Sequence, residues 1–235
     1  MSFRNRLYRE FIAGKTWFDW LFLAVGLLLQ VVVYLLHPAG TMIIISGLAG
    51  VFSVVLTSQG KISAYMFGFV QVITYIVISY EERLYGEAAI NIFYFVSMIY
   101  GVIAWRRRYV AEEGSGAHTL LTRRLSAVWR VVLLCVAVAG SVLTALLLGR
   151  YTDDSQPWLD AFTTVPSIVA QLLMVSRYRE QWYLWMLVDV LAVWMWCVAD
   201  NWSMAALYAF WCFNCIYGYY NWRKHDEKAA HEPDI

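Results

Sequence analysis

Eight apolar runs, each about long enough to cross a bilayer, fill the chain from residue 17 to residue 221. A helix rises 1.5 Å per residue, so roughly 20 mostly apolar residues cross a hydrocarbon core about 30 Å thick. The runs cover 17–36, 41–57, 62–79, 87–105, 126–148, 160–176, 182–198 and 203–221. Lipid offers no hydrogen-bond partner to a bare peptide group, so each run must be helical. Most connections are a few residues, such as His37-Pro38-Ala39-Gly40 and Asp200-Asn201-Trp202; only those near 106–125 and 149–159 are longer. This pattern predicts an all-α integral membrane protein of about eight transmembrane helices, with no length left for a soluble domain. The first run starts late, is long enough to span and lacks a small-residue cleavage site, so it reads as a span and not as a cleavable signal.

Composition agrees. Of 235 residues, 61% are apolar and 15% charged, against about 45–50% and about 25% in soluble domains. That excludes a disordered chain, a nucleic-acid module and an ordinary soluble enzyme. A net charge of +1 calls for neither an acidic nor a basic partner, and four Cys inside apolar runs make no disulfide scaffold. Twelve Trp and sixteen Tyr exceed what interfacial belts alone would use.

Orientation follows from Lys and Arg. With the N-terminus inside, the inner segments hold Arg4, Arg6, Arg9, Lys15, Lys61, Arg106, Arg107, Arg108, Arg123, Arg124, Arg177, Arg179, Arg223, Lys224 and Lys228. The outer loops hold only Arg83 and Arg150, beside Glu81, Glu82, Asp153, Asp154 and Asp200. Arg130, just inside the fifth run, snorkels to the inner surface. Both termini are therefore expected in the cytoplasm.

Two stretches match at a constant shift of 117: AAINIFYFVSMIYGVIAWRR from Ala88 and AALYAFWCFNCIYGYYNWRK from Ala205. A shared Trp-Arg anchor explains the last pair, but not the aligned Ala pairs, Phe93 with Phe210, or Ile99-Tyr100-Gly101 with Ile216-Tyr217-Gly218. Extending the match backwards pairs the helix from Ile62 with that from Trp182. The expected plan is one N-terminal helix, a three-helix repeat, a linker helix and a second three-helix repeat, or 1+3+1+3. Its segments are 1–40, 41–105, 106–150, 151–224 and a tail at 225–235. Three helices plus one is an even number of crossings, so the repeats are parallel. Such repeats carry their substrate site at the interface between them, near the midplane.

Ionisable groups within spans are costly and usually functional. Asp189 sits halfway along the seventh run, with no Lys, Arg or His at comparable depth. Trp185 is four residues before it and Trp182 seven before, which places all three on one helix face. Two π-faces leading to a carboxylate suit a flat organic cation. A Trp-rich packing face with Asp189 hydrogen-bonded between helices is the competing structural reading. Trp196 continues the stripe. Gln71, Asn91, Gln171 and Asn214 are further polar groups at depth, each able to cross-link helices or orient a ligand. Substrate contact is expected from Trp182, Trp185, Asp189, Gln71, Asn91 and Asn214. Cys212 and Cys215 form a C-x-x-C without a second ligand pair, His37, His118, His225 and His231 lie outside the runs, and Gly-Ser-Gly at 114–116 follows no strand. No metal, cofactor or catalytic residue is expected.

The eight-span plan, GKISAYMFGFVQV at 60–72, the IYG…W helix ends and WYLWMLVD at 182–189 together resemble the PnuC-type vitamin transporters, over roughly 41–224. The resemblance implies the triplet–linker–triplet plan of the SWEET sugar transporters. It also implies carriage of nicotinamide riboside, or in relatives thiamine and other ribosyl vitamins. Its most specific element is W-x-x-W followed by a polar residue four positions on, commonly Asn in the riboside carriers and Asp189 here. Nicotinamide riboside carries a fixed pyridinium charge and thiamine a thiazolium, and an Asp suits either. The resemblance further implies facilitated diffusion across a bacterial inner membrane, with trapping by a separate cytoplasmic kinase. Consistent with this, the chain shows no nucleotide motif and no second buried acid for a proton relay. The expected partners are a small vitamin and the lipid bilayer, with no nucleic acid; a homo-oligomer fits the same reading. The readings from other classes are an integral-membrane enzyme, which the Arg-dominated cytoplasmic loops disfavour, and a structural or receptor-like protein, which needs no Asp flanked by Trp.

Overall fold

In the computed structural model, which describes residues 11–12, 15–38, 40–83, 85–113, 120–153 and 156–229, every apolar run is a helix. They are α1 (Trp17–Leu36), α2 (Thr41–Ser58), α3 (Ala64–Glu81), α4 (Tyr85–Glu113), α5 (Ala127–Tyr151), α6 (Pro157–Val175), α7 (Gln181–Val198) and α8 (Trp202–Ala229). All but α8 are long and apolar enough to cross a membrane. The 28 residues of α8 are long enough as well, but much of their apolar surface comes from Trp and Tyr, whose polar edges score low, and Asn214 interrupts the run. Arg4, Arg6, Arg9, His118, His231 and Gly-Ser-Gly at 114–116 lie outside the described residues.

Local chemistry sets several boundaries. Thr16 caps α1 reciprocally with Asp19: its hydroxyl accepts from the Asp19 N–H at 3.3 Å, and the Asp19 carboxylate accepts from the Thr16 N–H at 2.6 Å. Such a cap stabilises a helix by about 1 kcal/mol. The Ser126 hydroxyl caps α5 by accepting from the Trp129 N–H at 3.4 Å. Pro157 opens α6 where its missing N–H costs nothing.

The chain forms two units, residues 1–102 and 103–235, and α4 runs across the division. In the first unit α1 packs on α2 and α2 on α3. Small residues let these helices approach, as is usual in membranes. Gly47 on α2 backs onto the Gln30 side chain of α1, and Gly50 onto Gln71 of α3. A Cβ on Gly68 would meet Met98 Cε at 2.5 Å and Ser53 Oγ at 2.8 Å. Phe52 stacks on Phe67 at 4.7 Å, and Phe69 meets Phe95 edge-on at 5.4 Å. In the second unit α5 packs on α6, α6 on α7 and α7 on α8. A cluster of Ala170, Leu173 and Leu184 lies under Leu133, Val169 and Trp185.

The 117-residue shift recurs in the backbone. The turn before α3 has Gly60 at φ 66°, and the turn before α7 has Arg177 at φ 65°. The turn after α3 has Arg83 at φ 61°, and the turn after α7 has Asp200 at φ 53°. Gly60 donates to Thr57 O and Arg177 to Met174 O, both at 2.9 Å; Lys61 donates to Leu56 O and Tyr178 to Leu173 O, again at 2.9 Å. The left-handed conformation costs a side-chain-bearing residue about 1 kcal/mol or more. Arg83, Arg177 and Asp200 adopt it because the short reversal between helices leaves no alternative. The rings recur as well: Tyr65 lies against Gly101 in the first unit, and Trp182 against Gly218 in the second.

Candidate functional site

The mid-helix carboxylate of α7 is buried. Asp189 is 8% exposed, and its Oδ2 accepts a hydrogen bond from the Cys215 thiol of α8 at 3.4 Å. No ion pair to Asp189 forms among the described residues. A neutral thiol is a weak donor, so this carboxylate keeps most of its accepting capacity for something else.

Trp182, two turns earlier, faces the same helix. Its ring lies flat against Gly218, where a side chain would collide, and meets Trp222 edge-on at 5.7 Å. Trp222 in turn meets Trp105 edge-on at 5.8 Å. All three rings are at most 3% exposed. The Thr122 hydroxyl donates to Trp222 O at 2.8 Å, and Trp105 Nε1 donates to Met174 O at 3.4 Å.

Residues 120–125 seal this end of the unit against the α6–α7 turn. Arg123 N–H donates to Arg177 O at 2.8 Å, and Arg179 N–H donates to Arg123 O at 3.0 Å. Arg177 Nη1 donates to Leu121 O at 2.7 Å. The buried Glu180 carboxylate accepts from Leu125 N–H at 3.2 Å and from Arg130 Nε at 3.1 Å. The Arg123 guanidinium covers the Tyr178 ring at 4.7 Å. Every polar group of the α6–α7 turn named here is therefore paired.

Several other buried polar atoms of this unit are not. Asn214 on α8 is fully buried, and both its amide atoms lack a partner. The same holds for Gln181, and the indole N–H groups of Trp182 and Trp196 are buried and unpartnered too. An unsatisfied buried group costs about 1–3 kcal/mol, and native proteins leave few of them. The arrangement offers amide donors and acceptors, a carboxylate and aromatic faces to a small, flat, polar molecule.

The remaining expected residues are placed as follows. Trp185 is half-buried and packs on Ala170, Leu173 and Leu184, so it leaves the α8-facing pair Trp182 and Asp189 and lies towards α6. Gln171 is buried on α6. Gln71 and Asn91 belong to the first unit. Gln71 lies against Gly50, where a Cβ would stand 2.9 Å from its Nε2. Asn91 turns back on its own helix, and its amide donates to Glu87 O at 2.8 Å.

Residues 40–224 match the family described as nicotinamide mononucleotide transporter. The chain belongs to that family. Within it, the chain is similar to the nicotinamide riboside transporter PnuC of Haemophilus influenzae, 32% identical over 95% of this chain and 97% of that one. It is also similar to the nicotinamide riboside transporter PnuC of Neisseria mucosa, 34% identical over 92% and 84%. The crystal structure of the vitamin B3 transporter PnuC superposes with a TM-score of 0.77 at 31% identity, covering 94% of this chain and 97% of that one. This member of the nicotinamide mononucleotide transporter family is thus an all-helical, multi-pass membrane transporter.

Three of its residues carry no signal in the sequence reading. Cys215, set aside with Cys212 as a failed metal pair, is the donor to Asp189. Gln181 stands at the edge of its apolar run, where a polar residue reads as a boundary. Gln30 is a polar residue inside α1 whose packing partner, Gly47, only the fold reveals.

Proposed function

We propose that this protein carries nicotinamide riboside into the bacterial cytoplasm by facilitated diffusion, with both termini cytoplasmic and a separate kinase trapping the product. The observation that carries the reading is Asp189: a buried carboxylate in mid-span, met among the described residues by one weak thiol donor and no cation. An incoming ligand with a fixed positive ring charge supplies what the fold withholds. Trp182 flanks the pyridinium ring, and Asn214 on α8 orients the polar substituents.

The family's name speaks of the mononucleotide, whereas the curated relatives are named for the riboside. Asp189 favours the riboside. A phosphate brought to a buried carboxylate adds like-charge repulsion in a medium that screens poorly. The Asp that stands where the family commonly has Asn also suits thiamine, whose thiazolium is a fixed cation.

Titration of the purified protein, followed by the fluorescence of its twelve Trp, tests the reading. Saturable binding of nicotinamide riboside that exceeds binding of both the mononucleotide and thiamine supports it. Preference for thiamine moves the substrate within the same transport class, and preference for the mononucleotide removes the role given to Asp189.

A further inference from the structure

The end of the second unit that holds Trp105, Thr122 and Trp222 gathers basic side chains. The rings of Trp105 and Trp222 meet at 5.8 Å, and the Thr122 hydroxyl donates to Trp222 O at 2.8 Å. Arg106, Arg123 with Arg124, and Arg223 with Lys224 come next along those three segments. Arg106, Arg123, Arg124 and Lys224 are exposed, and none forms an ion pair among the described residues. Glu180, the acid of the α6–α7 turn, is buried and already accepts from Arg130 and Leu125. Arg123 is also fixed in place. Its N–H and C=O bond the α6–α7 turn at 2.8 and 3.0 Å, and its guanidinium lies over the Tyr178 ring at 4.7 Å. A ring face attracts the charge but takes none of the in-plane N–H donors. The spans place this rim at the membrane surface. One ends at Arg106, another opens at Ala127 just after Arg124, and two more meet at the turn to which Arg123 is bonded. Trp129, 62% exposed at the same end of α5, suits the headgroup level.

We infer that this rim binds the headgroup of an anionic phospholipid, with Arg123 and Arg124 as its main contacts and Arg106 and Lys224 adding charge. A phosphodiester presents two oxygens that match the fork of a guanidinium. The acyl chains continue along the exposed apolar face of α5 that holds Val128, Val131 and Val132. On the topology proposed above, the lipid belongs to the cytoplasmic leaflet, where basic residues next to a span attract anionic headgroups. The bound lipid also steadies residues 120–125, since Arg123 sits within their ladder to the α6–α7 turn. None of this depends on which vitamin is carried.

The test is thermal unfolding of the purified protein in a neutral detergent, titrated with dioctanoyl phosphatidylglycerol, dioctanoyl phosphatidylcholine or inorganic phosphate. Phosphatidylglycerol raises the unfolding temperature saturably, because it binds the folded state, and the other two do not. Arg123→Gln and Arg124→Gln each weaken the apparent affinity for phosphatidylglycerol about five-fold, the scale of one basic residue at a charged surface, and the double variant abolishes the response. Arg124→Gln leaves ligand-free stability level, since that side chain has no partner among the described residues. Arg150→Gln is the control. Arg150 also lies over a Tyr ring, that of Tyr151 at 5.9 Å, but at the opposite end of α5, so the response to phosphatidylglycerol is unchanged. An equal loss in Arg150→Gln would show bulk attraction to a charged micelle. An equal rise with phosphatidylcholine or inorganic phosphate would show general lipid or free-anion binding. Either result overturns the inference, as does no rise with phosphatidylglycerol or a rise that survives in the double variant.

Discussion

Replacing Gly218 by Ala probes a close contact between α7 and α8 at the candidate site. A Cβ at Gly218 would stand 2.6 Å from Trp182 Cε2 and 2.7 Å from Cη2, about 1 Å inside the optimal carbon–carbon separation. The ring has little room to withdraw, being 3% exposed and met by Trp222 at 5.7 Å. Overpacking of this kind costs about 1–3 kcal/mol, while Ala gains about 1 kcal/mol over Gly in helix propensity. The net expectation is a loss of roughly 0–2 kcal/mol. Gly149→Ala is the control: its Cβ would meet Pro157 Cγ at an ordinary 3.7 Å, so only the propensity gain applies. Thermal unfolding in detergent should therefore move in opposite directions for the two variants. Riboside affinity should fall several-fold for Gly218→Ala alone, because Trp182 has been displaced. Trp182→Phe removes the ring atoms that collide, so in that background Gly218→Ala should cost at least about 1 kcal/mol less, a coupling that a double-mutant cycle resolves. Gly218→Ala as benign as Gly149→Ala, or strict additivity in the cycle, would show that the ring does not lie where this account needs it.

Asp189→Asn keeps the shape and removes the charge: binding of cationic nicotinamide riboside should weaken by roughly ten-fold or more, while a neutral isosteric riboside is spared. Equal loss for both ligands together with lower thermal stability would make Asp189 a helix tether. Arg130→Ala leaves the buried Glu180 without its 3.1 Å partner; since Arg130 is 37% exposed and partly screened, the expected loss is about 1–3 kcal/mol, read by thermal unfolding, and no change would mean the pair is idle. Reporters fused after Lys224 and within 150–158 should label opposite sides of the membrane, and labelling on one side would refute the span count.

The spans were legible because run length and lipid solvation leave the backbone no alternative to a helix. The shift of 117 was legible because Gly101 and Gly218 each receive a large ring from the preceding helix, and a packing need that strict marks the sequence. The turns were less so: of the four left-handed positions among the described residues only Gly60 is a glycine, and Arg83, Arg177 and Asp200 give no local hint. Residues 120–125 read as plain loop, since a two-residue ladder onto 177–179 has no periodicity to detect. In the site, depth alone exposed Asp189 and Asn214. Spacing put Trp182 and Trp185 on one face, but which neighbour each ring meets depends on α6 and α8. Trp185 goes to the Ala170–Leu173 cluster and Trp182 to Gly218. Cys215 was hidden because its role is set by a residue 26 positions away.

Uptake into sealed vesicles tests the central claim most directly. Purified protein in liposomes is given labelled nicotinamide riboside outside, with no kinase inside and with or without an imposed proton or sodium gradient. Internal riboside should rise to the external concentration and stop there, at the same level under every gradient, and an enclosed riboside kinase with ATP should then drive accumulation beyond it. Accumulation above the external level without the kinase, dependent on either ion gradient, would contradict facilitated diffusion.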